Sequence, residues 1–433
     1  VGEDVEDDRI VEQATTTRDT RLSAQARSLL EGMATDLLQH RAQGTFPLED
    51  AVMRLDASAY TCPERFEAEK QRIFRRVPLV LGASCELPSP GDFKTMDVAG
   101  IPVLVVRHRD GSARALFNSC THRGAAVAQG CGTAARFTCP YHGWTFAQDG
   151  ALVGVASASD FGAVDKAALG LKAFPTVERA GLIWAILDAE TPHDPADLLG
   201  GIDALLDGFG LADWTFVETR ALPGPNWKLA FDAHLEFYHL PVLHRATFGP
   251  ERSNRAFYYR HGPHQRVIGP APRPGDAAAS EDAADDLYTL GRLPQGDEPV
   301  NPLMIGEWIV FPGVSINIFH PNGRRGVFIS TVLPGTQVGE SVTVQTYLSE
   351  TPPDAETRAK IAELCAFLAH VVGEEDLPTS AHQQKALAAG VLREVRFGRN
   401  EGGLHHFHKW IDMLVDSDDA ALAQLLADPC RPM

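Results

Sequence analysis

Two short segments, CTHRG at 120–124 and CPYHG at 139–143, each hold one cysteine and one histidine, with 16 residues between His122 and Cys139. Two thiols and two imidazoles in so short a span describe a metal site. Structural zinc sites usually open with cysteine pairs two to four residues apart, whereas here each half supplies one thiol and one imidazole. That division suits a [2Fe–2S] cluster of Rieske type, with Cys120 and Cys139 on one iron and neutral His122 and His142 on the other. Gly124 and Gly143 let the backbone turn tightly after each histidine, and Pro140 stiffens the second loop. The other cysteines, Cys62, Cys85, Cys131, Cys365 and Cys430, show no spacing of their own and read as packed or surface thiols. Seven is an odd count in a large chain, which speaks against a disulfide framework.

A second set lies in NWKLAFDAHLEFYHLPVLH, residues 226–244. Over a predicted helix at 226–240, Glu236 and His239 are three apart and share a face. His239 and His244 are five apart, ~140° out of register on a continuous helix. Pro241 ends or kinks that helix and lets His244 swing round to the same point. Two histidines beside a carboxylate begin a 2-His-1-carboxylate site, which holds Fe(II) with positions open for O₂. Read alone, the same residues are equally core histidines and a solvated glutamate; beside a first metal motif they read as a second centre. His405, His406 and His408 of HHFHKW read as an aromatic-rich packing segment.

The elements that position these residues change along the chain. An acidic tail precedes an amphipathic helix at 23–41, with Leu29, Leu30, Met33, Leu37 and Leu38 at helical spacing, so 1–50 is read as a tail and helical arm. Residues 51–77 form a helical lead-in expected to pack with the C-terminal domain. From 78 to 185 the pattern is strand-like: VLVVRH–RDGS–ARALFN and WTFA–QDG–ALVG are hairpins with Asp-Gly turns, which sets both Cys–His segments on loops of a small β domain. From 186 to 433 helices, among them 353–372 and 377–392, alternate with runs such as WIVFPGVSINIFH, GVFISTVLP and SVTVQTYLS, an α+β pattern. Within it, 269–301 is rich in Pro, Gly, Ala and Asp and reads as a flexible loop.

Bulk properties bound the function. The 433 residues are 44% hydrophobic and 22% charged, an ordinary globular composition long enough for two domains. A net charge of −18 argues against nucleic acid and anionic membranes as partners, although 101–150 carries a local +3. No apolar run is long enough to span a membrane, and the acidic N-terminus lacks a signal-peptide build, so the expected location is cytoplasmic.

Together the two motif sets resemble the terminal oxygenase, or alpha subunit, of the Rieske non-heme iron oxygenases, the aromatic-ring-hydroxylating dioxygenase family. The resemblance runs from about 57 to 412. It implies a [2Fe–2S] cluster on Cys120, His122, Cys139 and His142, and a mononuclear Fe(II) on His239, His244 and Asp376 of EEDLPTSAHQQ, with Gln384 eight further on. Glu374 and Glu375 stay as rivals to Asp376. Glu236 takes the place of an Asp that bridges a cluster histidine of one subunit to an iron histidine of the next, and Asp232 stands one turn earlier as a supporting contact. The implied fold is a small all-β Rieske domain plus a larger domain with an antiparallel sheet covered by helices (helix-grip, START-like), assembled as an α₃ homotrimer.

Where respiratory Rieske proteins carry a disulfide and a serine, this chain has Ala125, Tyr141 and Trp144. The cluster potential is therefore expected near the low end of the range, about −150 mV. No flavin or nicotinamide fingerprint is visible, so a ferredoxin and/or flavin reductase is expected to supply electrons. Phe231, Phe237, Leu240, Phe248, Ile316 and Phe319 point to a pocket for an apolar, aromatic or polycyclic small molecule beside O₂. The alternatives are an N- or O-demethylase or quaternary-amine monooxygenase, prompted by Glu236, and a pure Rieske electron carrier, which leaves the second site unexplained.

Overall fold

The computed structural model describes residues 22–270, 287–296 and 298–427. The acidic tail at 1–21, residues 271–286 and 297 of the expected flexible loop, and Cys430 lie outside the described residues. Helix α1 (Ala24–Gln43) is capped by Ser23, whose side chain accepts the Ala26 N–H at 3.1 Å, and ends where Gly44 takes φ +65°. Its buried side is Ala26, Leu30, Ala34 and Leu37. That side packs within its own chain, in a cluster with Val80, Leu182 and Trp184 of the β region and Trp308 and Ile316 of the large sheet.

Short antiparallel strands dominate 79–185. A five-stranded sheet has the order Ala173–Phe174, Ala113–Phe117, Ile101–Arg107, Asp92–Val98, Cys131–Thr133. It contains the first expected hairpin, with Arg107 opposite Ala113. The second hairpin, Thr145–Ala147 with Leu152–Gly154, pairs on Arg136–Thr138 and turns at Gly150, φ +86°. A third sheet joins Thr176–Arg179, Leu182–Ala185 and Leu79–Ala83. Leu104, Val106, Leu116, Phe137 and Phe146 fill the space behind the two cysteine loops. The basic island is smaller than its count: Arg107 is buried against Glu178 and three backbone carbonyls, and Arg114 pairs with Asp110. Arg109, Arg123 and Arg136 remain exposed.

The C-terminal region is built on a seven-stranded antiparallel sheet: β1 (Thr215–Gly224), β2 (Phe257–His261), β3 (His264–Ile268), β4 (Glu307–Val310), β5 (Val314–Phe319), β6 (Gly326–Pro334) and β7 (Ser341–Ser349). Its order is β1-β7-β6-β5-β4-β3-β2. Side chains alternate between its faces. Val314, Ile316, Val327, Ile329 and Leu348 face the cluster that holds α1. The opposite face is covered by helices α2 (Trp227–Asp232), α3 (Ala355–His370), α4 (Leu377–Ala388) and α5 (Gly402–Asp416). The lead-in strand Met53–Asp56 pairs with Glu394–Phe397, and one apolar cluster joins Val103 and Ile183 of the β region to Trp227, Leu377 and Phe407. The architecture is α+β, a β domain and an antiparallel sheet with helices sharing a core.

Two helical expectations change. The helix at 226–240 stops after six residues at Asp232, and 233–249 runs as successive turns. The Glu236 carboxylate accepts the backbone N–H groups of Tyr238 and His239, a local bond that competes with the helical ladder. The helices expected at 353–372 and 377–392 are α3 and α4, joined without a break by a π-helical segment, Val371–Asp376.

Candidate metal centres

The two cysteine loops are built alike. In the first, Cys120 N–H donates to the Ala125 carbonyl and Gly124 N–H to the Cys120 carbonyl, both at 2.8 Å. In the second, Cys139 N–H donates to the Trp144 carbonyl at 2.7 Å and Gly143 N–H to the Cys139 carbonyl at 3.0 Å. Gly124 and Gly143 take φ of +84° and +68°, where a side chain is strained. Both thiols are 3% exposed. The imidazoles of His122 and His142 lie with centroids 4.7 Å apart, and the Nδ1 of each is buried without a hydrogen-bond partner. Trp144 stacks on His122 at 5.0 Å and Phe161 meets its edge at 5.3 Å. Burial, and then the second thiol of Cys139, push the Cys120 thiol up, while burial, His122 and Arg123 hold His142 below its ordinary value. Two buried thiols facing two imidazoles whose Nδ1 atoms have no partner form a donor set for metal ions. At the exposed tip, the Arg123 guanidinium sits 5.1 Å from the Tyr141 ring centroid.

The second centre forms where the 233–249 turns meet the π-helical segment. One ligand atom each from His239, His244 and Asp376 lies within 4.8 Å of the others. Asp376 Oδ1 is 3.0 Å from His244 Nε2 and 3.9 Å from His239 Nε2, yet it is buried and out of line for a hydrogen bond. Such an oxygen, aimed between two imidazoles, fits a metal ion. Each histidine is braced from behind. Glu236 bonds His239 Nδ1, and Glu375 bonds His244 Nδ1 at 2.5 Å while accepting from the Thr247 hydroxyl. His244 is 1% exposed; burial lowers its pKa, but Asp376 and then Glu375 raise it above the ordinary value. Glu375, a rival ligand in the sequence, sits behind the imidazole.

Asp232 turns elsewhere: it accepts from the Tyr60 hydroxyl at 2.6 Å and lies 3.0 Å from His408 Nε2. From α5, His405 hydrogen-bonds the Phe397 and Gly398 carbonyls and His406 the Gly262 carbonyl, and neither they nor His408 join a metal group among the described residues. Gln384 ties α4 to its neighbours, accepting the Asn226 N–H at 3.3 Å and donating to the Tyr60 carbonyl at 3.2 Å.

A cavity of about 450 Å³ opens beside Glu236, His239 and Asp376, lined further by Tyr60, Asp232, Gln383, Phe397 and Glu401. None of the six expected pocket residues lines it. Phe231, 0% exposed, packs on Phe407 in the core. Ile316 faces away from the metal site because the two-residue period of β5 sends it to the α1 side. Phe248 meets the edge of His244 at 5.3 Å, Phe237 packs on the helix-side core, Phe319 approaches Phe328, and Leu240 is half-buried. Sequence reasoning missed Thr247, Tyr60 and Phe161, whose spacing carries no signal.

Comparison with known proteins finds a family match for each of the two regions. Residues 77–175 match the family described as Rieske [2Fe-2S] domain, and 211–417 match the ring hydroxylating alpha subunit (catalytic domain). The chain therefore carries a Rieske domain followed by a ring-hydroxylating alpha-subunit catalytic domain, and its donor sets fit the cluster and mononuclear iron of those two domains. Among curated relatives, it is 34% identical over 190 residues to the glycine betaine monooxygenase oxygenase subunit of Pseudomonas aeruginosa, covering 43% of each chain. It is 31% identical over 208 residues to the anthranilate 1,2-dioxygenase large subunit of Acinetobacter baylyi, covering 46% of this chain and 44% of the other. These alignments span less than half of either relative. In fold it is similar to a quaternary ammonium Rieske monooxygenase (TM-score 0.70, 21% identity, 88% of this chain and 98% of that one). It is likewise similar to a Rhodococcus naphthalene 1,2-dioxygenase (TM-score 0.66, 20% identity, 92% and 100%).

Proposed function

We propose that this protein is a terminal oxygenase component, which takes electrons from a separate reductase or ferredoxin and inserts oxygen from O₂ into a small, largely apolar organic molecule. The observation that carries the reading is the pairing of a Cys₂His₂ donor set with a converging His239–His244–Asp376 set in one chain. When bound, the cluster supplies single electrons and the ferrous ion supplies O₂ activation. Cys120, His122, Cys139 and His142 hold the first, and His239, His244 and Asp376 the second. Glu236 and Glu375 fix the orientation and tautomer of the two iron histidines so that each presents Nε2.

The chain acts as an α₃ trimer. Glu236, at the wall of the cavity, carries the link from His239 to a cluster histidine of a second copy. The acidic lining of that cavity and the exposed Arg123 beside His122 support the pairing by opposite charge. Among the described residues no helix is long and apolar enough to cross a membrane.

An aromatic or polycyclic substrate is the first reading. A quaternary amine is the second, favoured by Glu236 and by the likeness to glycine betaine and carnitine monooxygenase oxygenase subunits. Metal analysis tests the two-centre reading: about three irons and two labile sulfides per chain are expected, with about one iron lost on His239→Ala. Two irons in both proteins refute it. Coupled NADH and O₂ consumption with a surrogate reductase then ranks substrates.

A further inference from the structure

The large sheet carries a polar row where its neighbours are apolar. On the helix-covered face, Gln345 of β7 stands opposite Ser330 of β6, which stands opposite Ser315 of β5, and Thr343 stands opposite Val332. The row continues through side chains: Asn317 Nδ2 donates to Ser315 Oγ at 3.1 Å, Ser315 Oγ donates to Glu307, and Glu307 bonds His234 Nδ1 at 2.9 Å. To one side the same face is apolar, with Ile309, Phe311 and Val332 in the cluster of α2 and α5. To the other, Phe328 and Tyr347 pack under α3. The row fills the gap between these clusters.

That gap lies under the second metal centre. Leu222, in register with Thr343, is 3.9 Å from the Cβ position of Gly373, in the π-helical segment that ends at Asp376. His234 leads directly into Glu236 and His239. Within the row Gln345 is 2% exposed and Thr343 1%, and Tyr347 at its margin is 0%. Gln345 Oε1 and Nε2, Thr343 Oγ1 and Tyr347 Oη all lack a protein partner. A buried amide with both ends unpaired is costly, and natural interiors satisfy such groups. The charged groups nearby are already engaged: Glu307 by His234 and Ser315, and Arg220 by Glu218 and the Cys365 carbonyl.

We propose that this row is the recognition floor of the substrate site, and that it takes a small molecule bearing a neutral group that both donates and accepts hydrogen bonds, such as a lactam, amide or ring hydroxyl. Gln345 meets that group, and the apolar remainder lies against the flanking clusters. The inference rests on the oxygenase reading above and names the substrate class for it.

Calorimetry on the full-length, iron-loaded protein under nitrogen tests it with three probes: the lactam 2-indolinone, its hydrocarbon counterpart indane, and the quaternary amine choline. The lactam is expected to bind at least about tenfold more tightly than either of the others. Gln345→Leu is expected to erase that preference, and Thr343→Val to reduce it, with iron content unchanged. The ranking in the unmodified protein decides the matter even if a variant folds poorly. Indane or choline binding as well as the lactam, no binding of any probe, or a lactam preference that survives Gln345→Leu overturns the proposal. Failure of the oxygenase reading shows separately, as missing mononuclear iron whichever probe binds.

Discussion

Replacing Glu375 by alanine isolates how much of the second centre depends on a residue that touches no metal. His244 is 1% exposed and its Nδ1 has Glu375 as partner at 2.5 Å. Alanine leaves that N–H buried with no acceptor, at about 1–3 kcal/mol for an unsatisfied donor. It also removes the negative charge that raises the basicity of Nε2, the nitrogen facing Asp376. Partners of this kind are worth about 10–100-fold in metal affinity, or about 1.4–2.8 kcal/mol, so the two routes agree in size. The expected result is a 10–100-fold weaker Fe(II) dissociation constant in a chelator competition. Glu375→Gln should fall between, because its carbonyl still accepts while its charge is lost. The electron paramagnetic resonance of the reduced cluster should be unchanged in both, since Cys120 and Cys139 lie in a different core. Iron affinity within threefold of the unmodified protein would refute the argument that the carboxylate positions His244.

Further predictions follow from other contacts. Glu69→Ala strands the buried Lys228 ammonium, 2.5 Å from that carboxylate, and should cost about 3–5 kcal/mol in denaturant unfolding; a loss below 1 kcal/mol counts against the pair. Redox titration should place the cluster near −150 mV, and a value above 0 mV contradicts the reading of Ala125, Tyr141 and Trp144. Trp144→Ala should remove the stacked cover of His122 and leave mononuclear iron intact, as metal analysis would show. Glu401 is pushed up to about 6, by burial and by Glu236 and Asp232. Its folded value lies above the unfolded one, so its contribution is full below the unfolded value near 4.5 and is lost as pH rises through about 6. Glu401→Gln should therefore gain in melting temperature relative to the unmodified protein between pH 4.5 and 7.5; a constant gap refutes this.

The sequence by itself determined the chemistry that is local. Cys–His segments of five residues dictate two loops whose hydrogen bonds close within the segment or one residue beyond it, so donor types, glycine turns and flanking hairpins were readable from spacing alone. Strands β4 to β7 of the large sheet were equally plain, because a two-residue period is a local property, whereas β1, β2 and β3 were not read from the sequence. Tertiary structure decided what depends on residues far apart in the chain. Glu374 and Glu375 stay rivals to Asp376 in the sequence until a π-helical segment turns Asp376 toward His239 and His244 and sends Glu375 behind His244, 131 residues away. The same holds for Asp232, which meets Tyr60 and His408, and for Ile316, whose facing depends on the layer above it. The helix expected at 226–240 failed for a related reason: one carboxylate bonded to two backbone amides outweighs a modest propensity, and no periodicity records that bond. The unpaired side chains of Gln345 and Thr343 appear in sequence as ordinary strand residues. Only register across three strands gathers them with Ser330 and Ser315 into one polar floor beneath the metal site.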